Sequence, residues 1–358
     1  MKQESLIQNP AIQSNSVVRY RSAIWTLLIL APVISEVLSG STRLSIIFVL
    51  IPEVMVWGCG ALLCRELVRR WRGGATSLLM LGLALSIAEE FIIQQTSIAP
   101  LPFPGSNASY GRYAGVNWLY FLFMLGFESV AVVLVPVQVT ELIFPDRRKQ
   151  PWLRKRGIIA TCIVFLIGSR IAWYGWTQQA RPRLNAAPYH PPMNLILLGF
   201  AVIAVLILMA WLLREHSHSS QTESHRPLHP SLICLIAFLL SGPWFWLITL
   251  LFVPHPGLAV WIPISAGIVW AILSYALVSY LTTAHGWRDI HRWALSFGSV
   301  LGFMVPGDIS AAGWTRVDLI GKFALQLLAV VGFLLLARKV WQRESSDPTA
   351  GESDLPRA

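Results

Sequence analysis

Residues 78–95 read LLMLGLALSIAEEFIIQQ, an apolar stretch long enough to cross a bilayer as a helix. Two adjacent carboxylates, Glu89 and Glu90, interrupt it. An acidic side chain at the centre of a membrane helix costs about 2.5 to 3.5 kcal/mol on insertion scales. Protons, polar partners, water or a cation must therefore compensate these two groups. The stretch predicts a membrane protein with a buried polar site.

The composition of the whole chain indicates the same class of protein. Of the 358 residues, 55% are hydrophobic and 13% are charged, and the mean hydropathy is +0.58. Soluble domains contain roughly 25% charged residues. The net charge of +10 does not indicate nucleic-acid binding, because the basic residues lie in short connections between apolar runs. We expect the chain to have a lipid bilayer, and not a nucleic acid, as its partner.

Ten apolar runs follow one another along the chain. Nine are long enough to cross a membrane. Their approximate bounds are 20–39, 45–66, 76–95, 116–144, 157–177, 194–213, 231–253, 258–284 and 318–338. The tenth, 293–306, is shorter and contains Gly298 and Gly302 at GxxxG spacing, so it predicts either a thin span or a re-entrant hairpin. We expect one helical membrane domain over 19–340, with disordered polar ends at 1–18 and 341–358.

The distribution of basic residues favours ten crossings. If all ten runs cross and the N-terminus is cytoplasmic, twenty-one of the twenty-eight lysines and arginines fall on the cytoplasmic side. Cytoplasmic connections of membrane proteins are enriched in these residues. The sequence therefore predicts an all-α polytopic bundle of about ten spans with both termini cytoplasmic.

This topology places most of the intramembrane charges at overlapping depths. A rise of 1.5 Å per helical residue brings five carboxylates from four consecutive helices into or toward the outer half of the bilayer. They are Glu36, Glu53, Glu89, Glu90 and Glu128. Arg170, in the fifth span, reaches the same half. We expect these residues to bind an ion or a small solute, with Arg170 as counter-charge or anion ligand.

Some of these residues also have a purely structural interpretation. Glu36 can reach the outer interface by snorkelling, and Arg170 can pair with one glutamate to hold two helices together. Neighbours on a helix point about 100° apart, so one salt bridge cannot neutralise both Glu89 and Glu90. Gln94, one turn further along the same helix, is a secondary candidate.

Other polar groups have simpler expectations. Asp308, at the outer end of the tenth run, is a secondary candidate that would line an entrance. Asp318 and Lys322 are expected to form a local ion pair, because they are four residues apart on one helix. Glu141 is expected to snorkel to the inner interface beside Arg147 and Arg148. The outer connections 100–115 and 178–193, rich in turn residues, predict either a lid over the site or ordinary connectors.

Familiar catalytic and metal-binding motifs are absent from the sequence. It contains no P-loop, no GxSxG elbow and no HExxH. The four cysteines lie in apolar runs without CxxC or Cys/His ligand spacing. The sequence therefore predicts no metal site and identifies no cofactor.

The pair Glu89 and Glu90 carries a partial resemblance to a known superfamily. A Glu-Glu pair followed four residues later by a basic residue is similar to the first motif of the type II CAAX prenyl endopeptidase and bacteriocin-processing superfamily. Here Gln94 stands where that superfamily has arginine. The resemblance implies an intramembrane, metal-dependent peptidase whose acids and histidines lie on neighbouring helices.

The other two motifs of that superfamily depart further from its pattern. Its second motif has phenylalanine followed four residues later by histidine, whereas Phe123 is followed by Phe127. His285 and Asp289 match the HxxxD spacing of its third motif. The predicted topology places them at the inner face, most of a bilayer away from Glu89.

Three short segments resemble a group of uncharacterised bacterial multi-spanning membrane proteins. They are residues 34–40 (ISEVLSG), 61–67 (ALLCREL) and 88–90 (AEE). The resemblance implies no activity, but it implies a bacterial cytoplasmic membrane and a structural unit formed by the first three helices.

These patterns together predict a membrane protein that binds or transports a small solute or ion with participation of protons or a cation. One alternative is an intramembrane peptidase or another membrane-embedded transferase that uses the same acids. A further alternative is a structural or partner-binding membrane subunit.

Overall fold

Helices form almost all of the regular structure in the computed structural model, which describes residues 10–102, 107, 109–187, 189–214, 225–253, 255, 257–309 and 313–346. The bounds are 10–38 (α1), Leu44–Trp71 (α2), Ala75–Ile93 (α3), Trp118–Ile143 (α4), Lys155–Arg183 (α5), Met193–Leu212 (α6), Pro230–Thr249 (α7), Trp261–Thr282 (α8), Asp289–Ile309 (α9) and Arg316–Ser345 (α10). Within the described residues, nine helices, all but α9, are long and apolar enough to cross a membrane. The predicted all-α polytopic bundle is confirmed.

Helix α9 provides a tenth crossing, although charged and small residues make it less apolar than the others. Its first residue, Asp289, pairs with Arg148 in the connection after α4, at 2.6 Å. Near its other end, Gly307 packs directly on the backbone carbonyl of Ser39, in the connection after α1. These two connections lie on opposite faces of the bundle because α2, α3 and α4 separate them. The segment 293–306 is therefore a span and not a re-entrant hairpin.

Two glycines allow α9 to approach α7 closely. A Cβ at Gly298 would overlap the backbone carbonyl of Cys234, and one at Gly302 would overlap the hydroxyl of Ser241. Small residues four apart let the backbones of membrane helices come into contact. The GxxxG spacing thus allows α9, which is less apolar than the other helices, to pack closely inside the bundle, where neighbouring helices cover it.

Ten crossings place both ends of the described chain on one face, termed the inner face. The connections after α1, α3, α5, α7 and α9 lie on the opposite, outer face. Helix α1 begins at Pro10 and α10 ends at Ser345, so helical structure extends into both stretches predicted to be disordered. The remaining parts of those stretches, 1–9 and 347–358, lie outside the described residues.

Helices α3 and α4 occupy the centre of the bundle. In their apolar stretches 61% and 56% of the residues are buried, against 11% in both α5 and α8. Helices α1 and α2 pack beside the central pair. The glutamates Glu53, Glu89, Glu90 and Glu128, on α2 to α4, are therefore enclosed by protein and not by lipid.

A short β-hairpin lies in the outer connection between α3 and α4. Its strands, β1 (Arg112–Tyr113) and β2 (Val116–Asn117), are antiparallel. Ala114 and Gly115 both have positive φ, 50° and 84°, as a two-residue hairpin turn with φ > 0 at both positions requires. The Asn117 side chain then caps α4 by accepting the Tyr120 N–H at 2.9 Å.

Candidate functional site

Glutamates on α1 and α3 lie within π-helical segments, in which backbone hydrogen bonds join residues five apart. The segment Val33–Leu38 contains Glu36, and Ala88–Ile93 contains Glu89 and Glu90. The extra residue in each turn widens the helix and changes the direction of the side chains that follow. Segments of this kind are rare and occur frequently at functional sites.

The other two predicted glutamates directly precede such segments. Val54–Gly58 follows Glu53 in α2, and Ser129–Leu134 follows Glu128 in α4. All five predicted acids are thus associated with a local departure from α-helical geometry. The sequence pattern did not predict this departure, because π-helical and α-helical segments have the same apolar composition here.

The four helices bring these glutamates close enough to interact electrostatically. Coulombic interactions join Glu89 to Glu90 and Glu36, and Glu128 to the same three residues. Glu53 interacts with Glu36. These five residues are termed the glutamate cluster.

The cluster is largely buried, and none of its carboxylates forms an ion pair with a described residue. Glu53, Glu89, Glu90 and Glu128 are between 0% and 4% exposed, and Glu36 is half-buried. Neither carboxyl oxygen of Glu89 has a hydrogen-bond partner, and one oxygen each of Glu53, Glu90 and Glu128 lacks one. No ion pair among the described residues includes a cluster member. An unpaired buried ion costs several kcal/mol, so ionised members of the cluster need protons, water or a cation to compensate them.

Hydroxyl groups after α3 donate to the cluster from the outer side. Gln94 donates its backbone N–H to the Glu89 carbonyl at 2.9 Å, and Gln95 then adopts a left-handed conformation with φ of 61°. This turn brings the hydroxyls of Thr96 and Ser97 to one carboxyl oxygen of Glu90, at 2.7 and 2.6 Å.

A third hydroxyl reaches the cluster from the connection between α1 and α2. Thr42 donates to one carboxyl oxygen of Glu53. Its backbone N–H also donates to the carbonyl of Glu36, at 2.9 Å. The outer connections after α1 and α3 therefore both contact the cluster, which lies at the outer end of the bundle.

Tyr120 is a member of the site that the sequence analysis missed. It is 7% exposed, interacts electrostatically with Glu90, Glu128 and Glu36, and lies beside the Thr96 hydroxyl. Tyr120 precedes Glu128 by eight residues on α4, a spacing that places both on one face of a helix. That spacing was the available signal.

Arg170 does not join the cluster, so its predicted role as counter-charge is wrong. It is exposed, and its guanidinium stacks on the ring of Trp173 at 4.2 Å. Gly168 determines this orientation, because a Cβ there would overlap Met55 on α2. Arg170 is two residues further on, about 200° around the helix, and so faces away from the bundle.

The charges at the outer ends of α9 and α10 pair with each other. Lys322 lies 3.3 Å from Asp308, which also accepts the Gln326 amide N–H at 2.9 Å. Asp318 instead accepts the backbone N–H of Ser45 at 2.8 Å. The predicted local pair between Asp318 and Lys322 is wrong, because the chain supplies a better partner to each from another helix.

A second buried group of charges lies at the inner face. Arg65 is fully buried, stacks on Trp152 at 3.3 Å, and donates to Glu141 at 3.0 Å and to Glu66 at 3.1 Å. Arg69 donates to both oxygens of Glu141 at 2.8 Å. The residues Arg65, Glu66, Arg69 and Glu141 are termed the inner ion network. Glu141 is 6% exposed, so the prediction that it snorkels to the interface is wrong.

The third peptidase motif lies far from the cluster. Asp289 is at the inner face, where it pairs with Arg148. Throughout the described ranges, no group of three or more His, Cys, Asp or Glu residues is arranged to hold a metal ion.

Comparison with known proteins identifies the family. A family model described as an uncharacterized membrane protein family matches residues 26–343. The chain belongs to this family. The predicted resemblance to uncharacterised multi-spanning membrane proteins is thereby confirmed, whereas the resemblance to the prenyl endopeptidase superfamily is not shown. No curated protein and no solved structure matches the chain. The part that matches the uncharacterized membrane protein family contains the whole glutamate cluster.

Proposed function

We propose that this protein is a transporter of the bacterial cytoplasmic membrane in which the glutamate cluster binds protons, and that proton binding is coupled to movement of a small solute. The supporting observation is Glu89, which is 2% exposed and has two unpartnered carboxyl oxygens among four other carboxylates. Acids inside a membrane bundle commonly form proton relays in pumps and transporters.

Protons suit the geometry of the cluster better than a single metal ion does. A proton neutralises one carboxyl group at a time, whereas a metal ion needs several ligands around one centre. The acids of the glutamate cluster interact electrostatically, but in the described residues they are not grouped around one point as the ligands of a metal ion would be. The hydroxyls of Thr42, Thr96 and Ser97 leave other carboxyl oxygens free to carry a proton.

The arrangement of charge supports a site near the outer end of the bundle. The inner face carries most of the basic residues, which is typical of the cytoplasmic side. The cluster lies at the opposite end of the bundle, where the outer connections contact it. Protons from outside the cell would thus have the shorter path to it.

Infrared spectroscopy of the reconstituted protein tests proton binding directly. The C=O stretch of protonated carboxyl groups is recorded as the pH is raised from acid to alkaline. We expect a band that persists at neutral pH in the wild type and weakens in Glu89→Gln and further in the Glu89→Gln, Glu90→Gln double variant. Arg170→Gln is the control and should leave the band unchanged. A folded wild-type protein without this band at neutral pH would overturn the proposal.

A transport assay tests the coupling. Proteoliposomes that contain a pH-sensitive dye are exposed to a panel of small solutes, and solute-driven proton movement is recorded. We expect such movement with the wild type and Arg170→Gln, and none with the Glu89→Gln, Glu90→Gln variant. Undiminished proton movement in the folded double variant would reject the coupling role of the cluster.

A further inference from the structure

The segment 95–101, termed the outer plug, is an irregular stretch of chain in which every residue except Pro100 is buried. Ser97 and Ile98 are 0% exposed, Ala99 is 2% and Leu101 is 7%. Irregular segments normally run over the surface, because buried backbone groups need hydrogen-bond partners that such segments do not supply themselves. One such bond lies within the outer plug, from the Ala99 N–H to the Gln95 carbonyl at 2.9 Å, and its other backbone groups need partners from elsewhere in the chain.

Two arginines satisfy the carbonyl groups of the outer plug. Arg112 donates to the carbonyls of Ile98 at 2.6 Å and Ala99 at 3.1 Å. Arg181 donates to the carbonyl of Pro100 at 2.9 Å. Hydrogen bonds from charged donors are stronger than neutral ones. Together with the backbone N–H of Asn117 in β2, which donates to the Ser97 carbonyl at 2.8 Å, these contacts hold the segment in place.

The two arginines come from different outer connections. Arg112 belongs to β1, before α4, and Arg181 lies at the end of α5. Of the ion pairs formed by described residues, none includes either arginine. Their guanidinium groups bind backbone carbonyls instead of carboxylates, those of the outer plug and, for Arg112, also that of Gly115 at 3.1 Å.

The inner side of the outer plug contacts the glutamate cluster. Thr96 and Ser97 donate to Glu90, and the Tyr120 side chain lies beside Thr96. On the outer side, Arg112 lines a cavity of about 610 Å³ together with Tyr110, Trp118 and Trp261. Arg112 thus contacts both this cavity and the outer plug, whose other side contacts the cluster.

We infer that the outer plug is the outer gate of the glutamate cluster and that Arg112 and Arg181 form its latch. The structure shows the closed state. When the two guanidinium groups release the carbonyls of Ile98, Ala99 and Pro100, the segment moves outward and exposes Glu90. The inference rests on the proposed function in one respect, which is that protons and a small solute are what pass the gate.

Thiol labelling tests the latch. Ser97→Cys is introduced into a chain in which the two partly accessible cysteines, Cys162 and Cys234, are replaced by alanine. The reconstituted protein is treated with a membrane-impermeant thiol reagent, and the labelling rate is measured. We expect slow labelling with both arginines present and about a tenfold increase for each arginine replaced by glutamine, since each loses hydrogen bonds from a charged donor.

Two further variants keep the test decisive. Ala99→Cys serves as a second reporter, because Ala99 makes no contact with Glu90 through its side chain. Ser129→Cys, on α4 and 1% exposed, is the control for general loosening and should stay unlabelled in every background. Equal acceleration at residue 129, or unchanged labelling of both reporters in the folded Arg112→Gln, Arg181→Gln variant, would overturn the gate.

The outcome is independent of proton binding. If the infrared band behaves as proposed but labelling does not accelerate, the gate is wrong and the proposed function stands. If labelling accelerates in a protein without the band, the gate stands and the proposed function is wrong.

Discussion

The inner ion network and the glutamate cluster lie toward opposite ends of the same helices, yet the buried acids are ion-paired in the first and not in the second. Helix α2 carries Arg65 at one end and Glu53 at the other, and α4 carries Glu141 and Glu128. In the inner network Arg65 and Arg69 neutralise both acids through bonds of 2.8 to 3.1 Å. In the glutamate cluster no described cation pairs with any acid.

The comparison separates structural from functional burial of charge. A buried ion pair with complete hydrogen bonding holds the inner connection after α4 against α2, and it needs nothing from solution. Unpaired acids contribute no such link, and their burial depends on what they take up. Among the described residues, arginines pair with the inner acids and with none of the outer ones, and the proposed proton binding rests on this contrast.

The largest effect is expected from breaking the inner network. Arg65→Met leaves Glu66 and Glu141 with fewer partners in a buried setting, and removal of one partner of a buried pair costs about 3 to 5 kcal/mol. We expect a strong decrease in the midpoint of thermal unfolding, followed by tryptophan fluorescence in detergent. Arg156→Gln, an exposed inner arginine, is the control and should unfold like the wild type. An Arg65→Met protein as stable as the wild type would show that the network is not structural.

The same substitution at both ends gives the sharpest comparison. Glu141→Gln removes the charge that binds Arg65 and Arg69 and should lower the free energy of unfolding by about 3 kcal/mol. Glu89→Gln removes a carboxylate without partners and should leave stability unchanged or raise it. Both variants are measured in one thermal unfolding experiment at neutral pH. A loss at Glu89 as large as that at Glu141 would mean that Glu89 has a structural partner, and the two regions would no longer differ.

Sequence reasoning reached the helices, their number and the depth of the acids, because those depend on local quantities. Apolar length predicted the nine long spans, and the distribution of lysine and arginine favoured α9 as a tenth crossing. The fixed rise per residue brought Glu53, Glu89 and Glu128 to one end of the bundle.

The direction in which each side chain points around its helix depends on packing between helices. It could therefore not be predicted from local sequence. Gly168 against Met55 turned Arg170 outward. The π-helical segments and the part played by Tyr120 depend on the same packing. Partner choice behaved likewise, since Lys322 pairs with Asp308 on another helix instead of its neighbour Asp318.

A smaller effect is expected from the hydroxyl donors of Glu90. Thr96→Val and Ser97→Ala each remove one hydrogen bond and should lower the free energy of unfolding by about 1 kcal/mol. They should also shift the infrared frequency of the Glu90 carboxyl group. The stability measurements described above do not test this frequency. Thr282→Val, at an exposed position on α8, is the control. If both infrared frequency and stability stay at wild-type values, Glu90 is not held by the outer plug.

The smallest effect is expected from Arg170→Gln. This side chain is exposed and contacts only the Trp173 ring among the described interactions, so its removal should change the free energy of unfolding by about 0.5 kcal/mol or less. Proton binding and solute-driven proton movement should equal those of the wild type. The measurement matters because a counter-charge to the cluster would behave oppositely. Loss of proton movement in a stable Arg170→Gln protein would mean that α5 turns Arg170 toward Glu89 in another conformation. The outer acids would then be paired for part of the cycle, as the inner acids are paired in the structure described.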